Sequence, residues 1–439
     1  MSKSESRSRN IHRDPDQTSV WQSLQQFVRW VNTTGFESYD PYDVWGTRYG
    51  VFSRRLYYRV PFLGVPLIAP VVFIEMVCPQ LRKLFLRKQR FATADAQLLL
   101  GFLNLYQVTE EPDYLNRAEA LADDLLSRSI PGFGGYCWGY PFDWQNSSGL
   151  WRKNTPFITA VPYCYEAFVT LGETTGKARY VDVAKSIARF VHDDLNDTQT
   201  SSDAAAASYS PVVHDKVVNA SAYRAFVLFD AAHRFGVSEY FSKAERNLNF
   251  ILETQGDDGS WPYAVDDGRE SFIDHFHTCF VLKNLFKINQ YLQKEEVGRA
   301  LVNGYRYYRN ALFYRDGMPR YYARSPRTQI VRVETYNFAE AITLGVLLRD
   351  KIPSAYRVAQ DLALRLSRDF QLSDGHFVTR VYASGVRHIL PFMRWPQAQL
   401  FYALTSLLVA KNGHDRQGST PEHAFDDRKR KAPREVALE

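Results

Sequence analysis

Five side chains in this sequence have the type and setting to exchange a proton or to stabilise a developing charge: Asp143, Tyr263, Asp274, His277 and Glu334. Asp143 sits inside the aromatic run Gly135-Tyr-Cys-Trp-Gly-Tyr-Pro-Phe-Asp-Trp144. Partial desolvation there would raise its pKa towards that of a general acid. Asp274 opens Asp-His-Phe-His277, where it is also a good helix N-cap, and Glu334 precedes an apolar run where a helix dipole would favour the anion. His275 and His277 are two apart and point to different faces of a helix, so the HxxxH zinc spacing is absent and no metal is expected.

Two chemistries are open to this set. Asp143 with Asp274 or Glu334 could act as acid and base or nucleophile. Alternatively Arg320 or Arg394 could neutralise a substrate carboxylate and so acidify the adjacent C–H, whose proton His277, Tyr263 or Tyr322 would exchange. Around them, Tyr136, Trp138, Tyr140, Trp144, Trp261, Tyr322 and Trp395 are candidates to stack on a sugar or polyisoprenoid, with His214 and Asn219 as polar contacts. There is no GxGxxG, Walker loop or GxSxG elbow, so no cofactor is expected. The net charge of +6 is spread along the chain and does not point to nucleic acid.

These residues need elements to hold them, and the sequence repeats. Alanines 118, 184, 244, 300 and 359 each sit early in an amphipathic run, spaced by 66, 60, 56 and 59. With Thr18–Asn32 they make six amphipathic helices. Between them lie six more apolar helices, beginning near Thr93, Thr155, Asn219, Asp274, Thr335 and Trp395; Thr155 before Pro156, Asn219 and Asp274 are the expected N-caps. Six apolar helices inside six amphipathic ones predict an all-α (α/α)6 toroid of six helical hairpins over 18–411. The links from outer to inner helix are long and carry the candidate residues, so the site is expected on that one face.

The remainder of the 439 residues sets boundaries. Apolar residues make up 45% and charged residues 23%, which suits a packed domain rather than a disordered chain. Residues 1–17 and 412–439 are polar and are expected to be disordered tails. No apolar leader is evident near the start, which suggests the cytoplasm. Residues 60–78, VPFLGVPLIAPVVFIEMVC, are almost wholly apolar and flanked by basic clusters. Three prolines and Glu75 argue for an extended strap packed on the domain. Docking on the inner face of a membrane and a true span are the alternatives.

Tyr39-Asp-Pro-Tyr-Asp43, Gly135–Gln145, Asp257-Asp-Gly-Ser-Trp261 with Ile273-Asp-His-Phe-His-Thr278, and Pro391-Phe-Met-Arg-Trp-Pro-Gln397 carry a family likeness. Over roughly 35–410 the chain resembles the six-hairpin glycosidase-like toroids, and within them an uncharacterised prokaryotic group associated with surface-polysaccharide synthesis. The resemblance implies an oligo- or polysaccharide partner and an enzyme of lyase, epimerase or hydrolase type. A non-catalytic glycan-binding scaffold is the alternative of a different class. Phe250–Trp261 is also similar to the Gln-Trp repeat of terpenoid cyclases, but one copy stands alone without an Asp-x-Asp-Asp motif.

Overall fold

The computed structural model describes residues 15–147, 149–265, 271–325 and 329–418. The expected tails lie largely outside the described residues. Helix α1 begins at Pro15, and the last helix, α14, ends at Gly418.

The outer ring consists of α1 (Pro15–Thr34), α5 (Pro112–Ser127), α7 (Ala178–Asp193), α9 (Tyr240–Glu253), α11 (Glu295–Ala311) and α13 (Pro353–Asp369). The inner ring consists of α4 (Ala92–Thr109), α6 (Val161–Thr175), α8 (Val218–Phe235), α10 (His275–Leu292), α12 (Thr335–Leu347) and α14 (Ala398–Gly418). Each inner helix packs on its outer partner and on its inner neighbours, and α14 returns to α4 to close an (α/α)6 toroid. The inner helices are buried over nearly their whole circumference, which is why their sequences lack a polar stripe.

Chain reversals at the two ends of the barrel differ for local reasons. Helices α4, α6, α8 and α10 stop on left-handed residues, Glu110, Gly176, Gly236 and Gln293, whose N–H groups bond back into the last turn. That geometry ends a helix within one residue and gives the short links. At the other end the long loops form small antiparallel ribbons: β1 (Trp144–Asn146) with β2 (Gly149–Trp151), β3 (Asp197–Gln199) with β4 (Ala205–Ala207), β5 (Ile273–Asp274) with β6 (Tyr322–Arg324), and β7 (Val331–Glu334) with β8 (Arg380–Tyr382) and β9 (Arg387–His388).

Three local expectations require correction. Thr155-Pro156 does not start the second inner helix. Pro156 bridges back to Gly139, and the helix opens at Val161 with Pro162 in its first turn. Asn219 does not cap α8, whose N-cap is Val217. Residues 60–78 are not an extended strap. Helix α2 (Arg48–Arg59) turns at Val60 into helix α3 (Pro61–Val77), with Pro66 and Pro70 inside it. The two prolines remove N–H groups that would bond the carbonyls of Phe62 and Pro66, but both of those residues are exposed, where water can serve instead. No helix of the described residues is long and apolar enough to cross a membrane.

Candidate active site

The long loops and the N-terminal ends of the inner helices surround a cavity of about 560 Å³. More than half of the residues in its wall are aromatic. Tyr42 stacks on Trp144 with ring centres 5.2 Å apart, Tyr336 stacks on Trp395 at 4.0 Å, and Tyr263 stacks on Phe272 at 4.6 Å. Tyr163 of α6 and Tyr223 of α8 share a hydroxyl–hydroxyl hydrogen bond of 2.9 Å. Ring faces held by one another are rigid platforms for the C–H face of a sugar.

Asp274 and His277 form the ionisable pair of this wall. Asp274 terminates β5 and caps α10, with Oδ1 accepting the His277 backbone N–H at 2.9 Å. Its other oxygen, Oδ2, lies 2.7 Å from His277 Nδ1. The carboxylate is buried, whereas the imidazole lies on the cavity wall. A carboxylate at Nδ1 fixes the proton there and leaves Nε2 as the basic nitrogen. Tyr263 meets the imidazole edge-on at 4.6 Å, and burial pushes its phenol pKa well above the ordinary value. Tyr263 therefore remains a proton donor. His275, in contrast, is a core residue: Nδ1 faces the Leu312 carbonyl, Nε2 meets the Tyr308 hydroxyl, and burial lowers its pKa to about 3.

Of the other candidates, Tyr140, Trp144, Tyr322, Arg394 and Trp395 also line the cavity. Arg394 does so while donating Nε to Asp40 Oδ2 at 2.5 Å and Nη2 to Asp40 Oδ1 at 2.9 Å, its guanidinium lying over Tyr42 and Tyr140. Asn219 is buried behind the pair and borders, with Asp274 and His277, a void of about 10 Å³.

The remaining candidates lie elsewhere. Asp143 accepts the Lys153 backbone N–H at 2.7 Å and pairs with Arg152 at 2.9 Å, outside the cavity wall. Glu334 is buried opposite Arg380 in the β7–β8 register, Oε2 to Nη2 3.0 Å. Burial outweighs that arginine and raises the Glu334 pKa to about 7. Trp138 and Trp261 turn inward, their indole N–H groups donating to the carbonyls of Leu125 and Ile251. Tyr136 packs partly buried on the core, His214 is exposed, and Arg320 is half-buried away from the cavity. Glu340, buried deep in α12, is not among these candidates; it meets Lys283 of α10 at 2.6 Å, the partner that a buried carboxylate requires.

The cavity also holds residues that the sequence reading passed over. Arg54 reaches it from α2 while donating to the Gln145 carbonyl at 3.2 Å; in sequence it is merely one of the basic residues beside the apolar segment. Asp215 lines it and accepts the Tyr209 N–H at 2.7 Å, one position from His214. Tyr42 lies in the Tyr39–Asp43 motif, which had no chemical role assigned to it. Among the described residues no group of three or more His, Cys, Asp or Glu is placed to hold a metal ion.

No family model and no curated protein matches the chain. Solved structures match its fold. A sugar epimerase from a ruminal bacterium superposes with a TM-score of 0.60 at 10% identity, over 90% of this chain and 99% of that one. An unsaturated glucuronyl hydrolase specific for heparin gives 0.59 at 11%, over 91% and 98%. Cellobiose 2-epimerase from Bacillus thermoamylovorans gives 0.56 at 13%, over 74% and 88%. These neighbours are enzymes of the six-hairpin glycosidase-like type.

Proposed function

We propose that this protein is a carbohydrate-active enzyme that moves a proton at a sugar carbon, of the lyase or epimerase type. Its substrate is an acidic oligo- or polysaccharide, and its setting is surface-polysaccharide assembly. The observation that carries the reaction is the Asp274–His277 pair on the wall of an aromatic cavity. The setting rests on the sequence resemblance alone.

In this reading Arg54 supplies the positive charge that draws a uronate carboxylate into the cavity, and Arg394, whose own charge is met by Asp40, braces the aromatic wall beside it. His277 Nε2 takes the proton from the carbon next to that carboxylate, and Asp274 stabilises the imidazolium. The electron pair left on carbon delocalises into the carboxylate. Donation of a proton to the opposite face by a second cavity phenol, for which Tyr322 is the candidate, inverts the centre, and that phenolate is reprotonated from water as His277 gives up its proton. Departure of the neighbouring C4 oxygen, protonated by Tyr263, gives an unsaturated sugar instead. Hydrolysis would need two carboxyl groups across the scissile bond. Of the three carboxyl candidates, Asp143, Asp274 and Glu334, only Asp274 lines the cavity, and it is engaged with His277; among the described residues Asp215 is the other carboxylate there.

Incubation with neutral and acidic polysaccharides in deuterated water, followed by NMR and mass spectrometry, tests the proposal. Deuterium at C5 or an unsaturated product is expected. New reducing ends without exchange would replace it with hydrolysis, and binding without any change would leave a glycan-binding scaffold.

A further inference from the structure

The α2–α3 hairpin is the part of the surface that the glycan-processing reading leaves unused. Among the described residues, 17 large apolar side chains are exposed, and 11 of them lie between Tyr49 and Phe85. Phe62, Phe73, Leu84 and Phe85 are 76%, 58%, 72% and 79% exposed. Helix α3 buries only Gly64, which lets its backbone close on Tyr57 of α2. Apolar exposure of this extent along one continuous stretch of chain, through α2, α3 and the turn that follows, marks an interaction surface rather than scattered surface residues.

Charge identifies the occupant. From Val44 to Arg90 the chain carries nine Lys and Arg residues and one acid, Glu75. Glu75 is drawn inward to Arg82 and His388, which tie α3 to the toroid. Arg48, Arg55 and Arg59 before the apolar stretch, and Lys83, Arg87 and Lys88 after it, are all exposed and form no ion pair with described residues. Apolar side chains between unpaired basic clusters are complementary to an anionic bilayer surface, where acyl chains take the former and headgroups the latter. A second copy of this chain would set those basic clusters against each other.

We infer that the α2–α3 hairpin docks this protein on a membrane surface rich in anionic lipid, with the cavity mouth beside the bilayer. The second part follows from Arg54 and Tyr58 of α2, which line the cavity from the same hairpin. Together with the proposed glycan chemistry, on which this step rests, the docking presents the site to glycans held at a membrane.

Sedimentation of the full chain with phosphatidylcholine vesicles, with and without phosphatidylglycerol, tests the docking without any sugar. Binding to the phosphatidylglycerol vesicles is expected, weakening with salt and by about fivefold for each basic residue neutralised. The triple change Phe62→Ser, Phe73→Ser, Phe85→Ser should leave the thermal melt unchanged, because those rings are exposed, and return the protein to the supernatant. Folded wild-type protein that ignores both vesicle types would overturn the inference. So would binding that survives the triple change, or a dimer in light scattering that the triple change dissociates. A protein that binds vesicles but alters no glycan would leave the docking standing and remove only the proposed reaction.

Discussion

Asp40 and Arg394 stand 354 positions apart and form a buried two-point ion pair beside the cavity, Nε to Oδ2 2.5 Å and Nη2 to Oδ1 2.9 Å. Nearby, the Met393 N–H donates to Ser38 Oγ at 2.8 Å. The two motifs that frame the toroid in sequence, Tyr39–Asp43 and Pro391–Gln397, are thus one structural unit. The pair holds Arg394 under Tyr42 and Tyr140 and so fixes part of the cavity wall.

Removing one partner of this pair leaves the other charged and buried. Asp40→Asn or Arg394→Met should each lower stability by about 3–5 kcal/mol, and the double variant by less than the sum. Urea denaturation of the four proteins measures the coupling. Additive losses would show that the contact is not a coupled pair.

Asp274 has two separable duties. Asparagine is also a strong N-cap, so Asp274→Asn should change stability by less than about 1 kcal/mol. It cannot hold His277 as the carboxylate does, and turnover should fall by about a hundredfold or more with glycan binding retained. His277→Ala should abolish C5 exchange. Exchange at the wild-type rate in either variant would remove the pair from the mechanism.

Glu334 predicts a slope in stability against pH. Its folded pKa of about 7 lies above the ordinary 4.5 because burial disfavours the anion. Below pH 4.5 the carboxyl is protonated in both states. Between there and about 7 the unfolded chain ionises first, so stability falls as pH rises. Glu334→Gln should remove that part of the fall; parallel wild-type and variant curves would place the group's pKa near its ordinary value.

Trp261 and Tyr263 lie two apart and should separate cleanly. Trp261 packs against Gly304 of α11 and bonds the Ile251 carbonyl, so Trp261→Ala should cost about 3–5 kcal/mol. Tyr263→Ala should weaken glycan binding with a smaller effect on the melt, as calorimetry with the identified sugar would show. The reverse pattern would exchange their roles.

The toroid was legible because a sixty-residue period and a change from all-round apolar to one-sided helices survive in any register. Helix α3 was not, since prolines that forbid a buried regular helix are tolerated where water reaches the freed carbonyls. The pair at Asp274 and His277 was readable because an N-cap and its first turn are neighbours in sequence. Asp143 and Trp138 share the aromatic loop with Tyr140, but which of them turns outward depends on backbone partners at Lys153 and Leu125. Arg54 reaches the cavity through the packing of α2 against β1 and Tyr42 through its stacking on Trp144 of β1, contacts that no local spacing encodes.

Because α14 seats against both α1 and α4, the ring has no finished edge until its final inner helix is in place. During synthesis five hairpins must therefore wait with their inner faces uncovered, and the pocket cannot form before Arg394 has left the ribosome. The order in which the chain is made thus delays the site until the last inner helix has been synthesised.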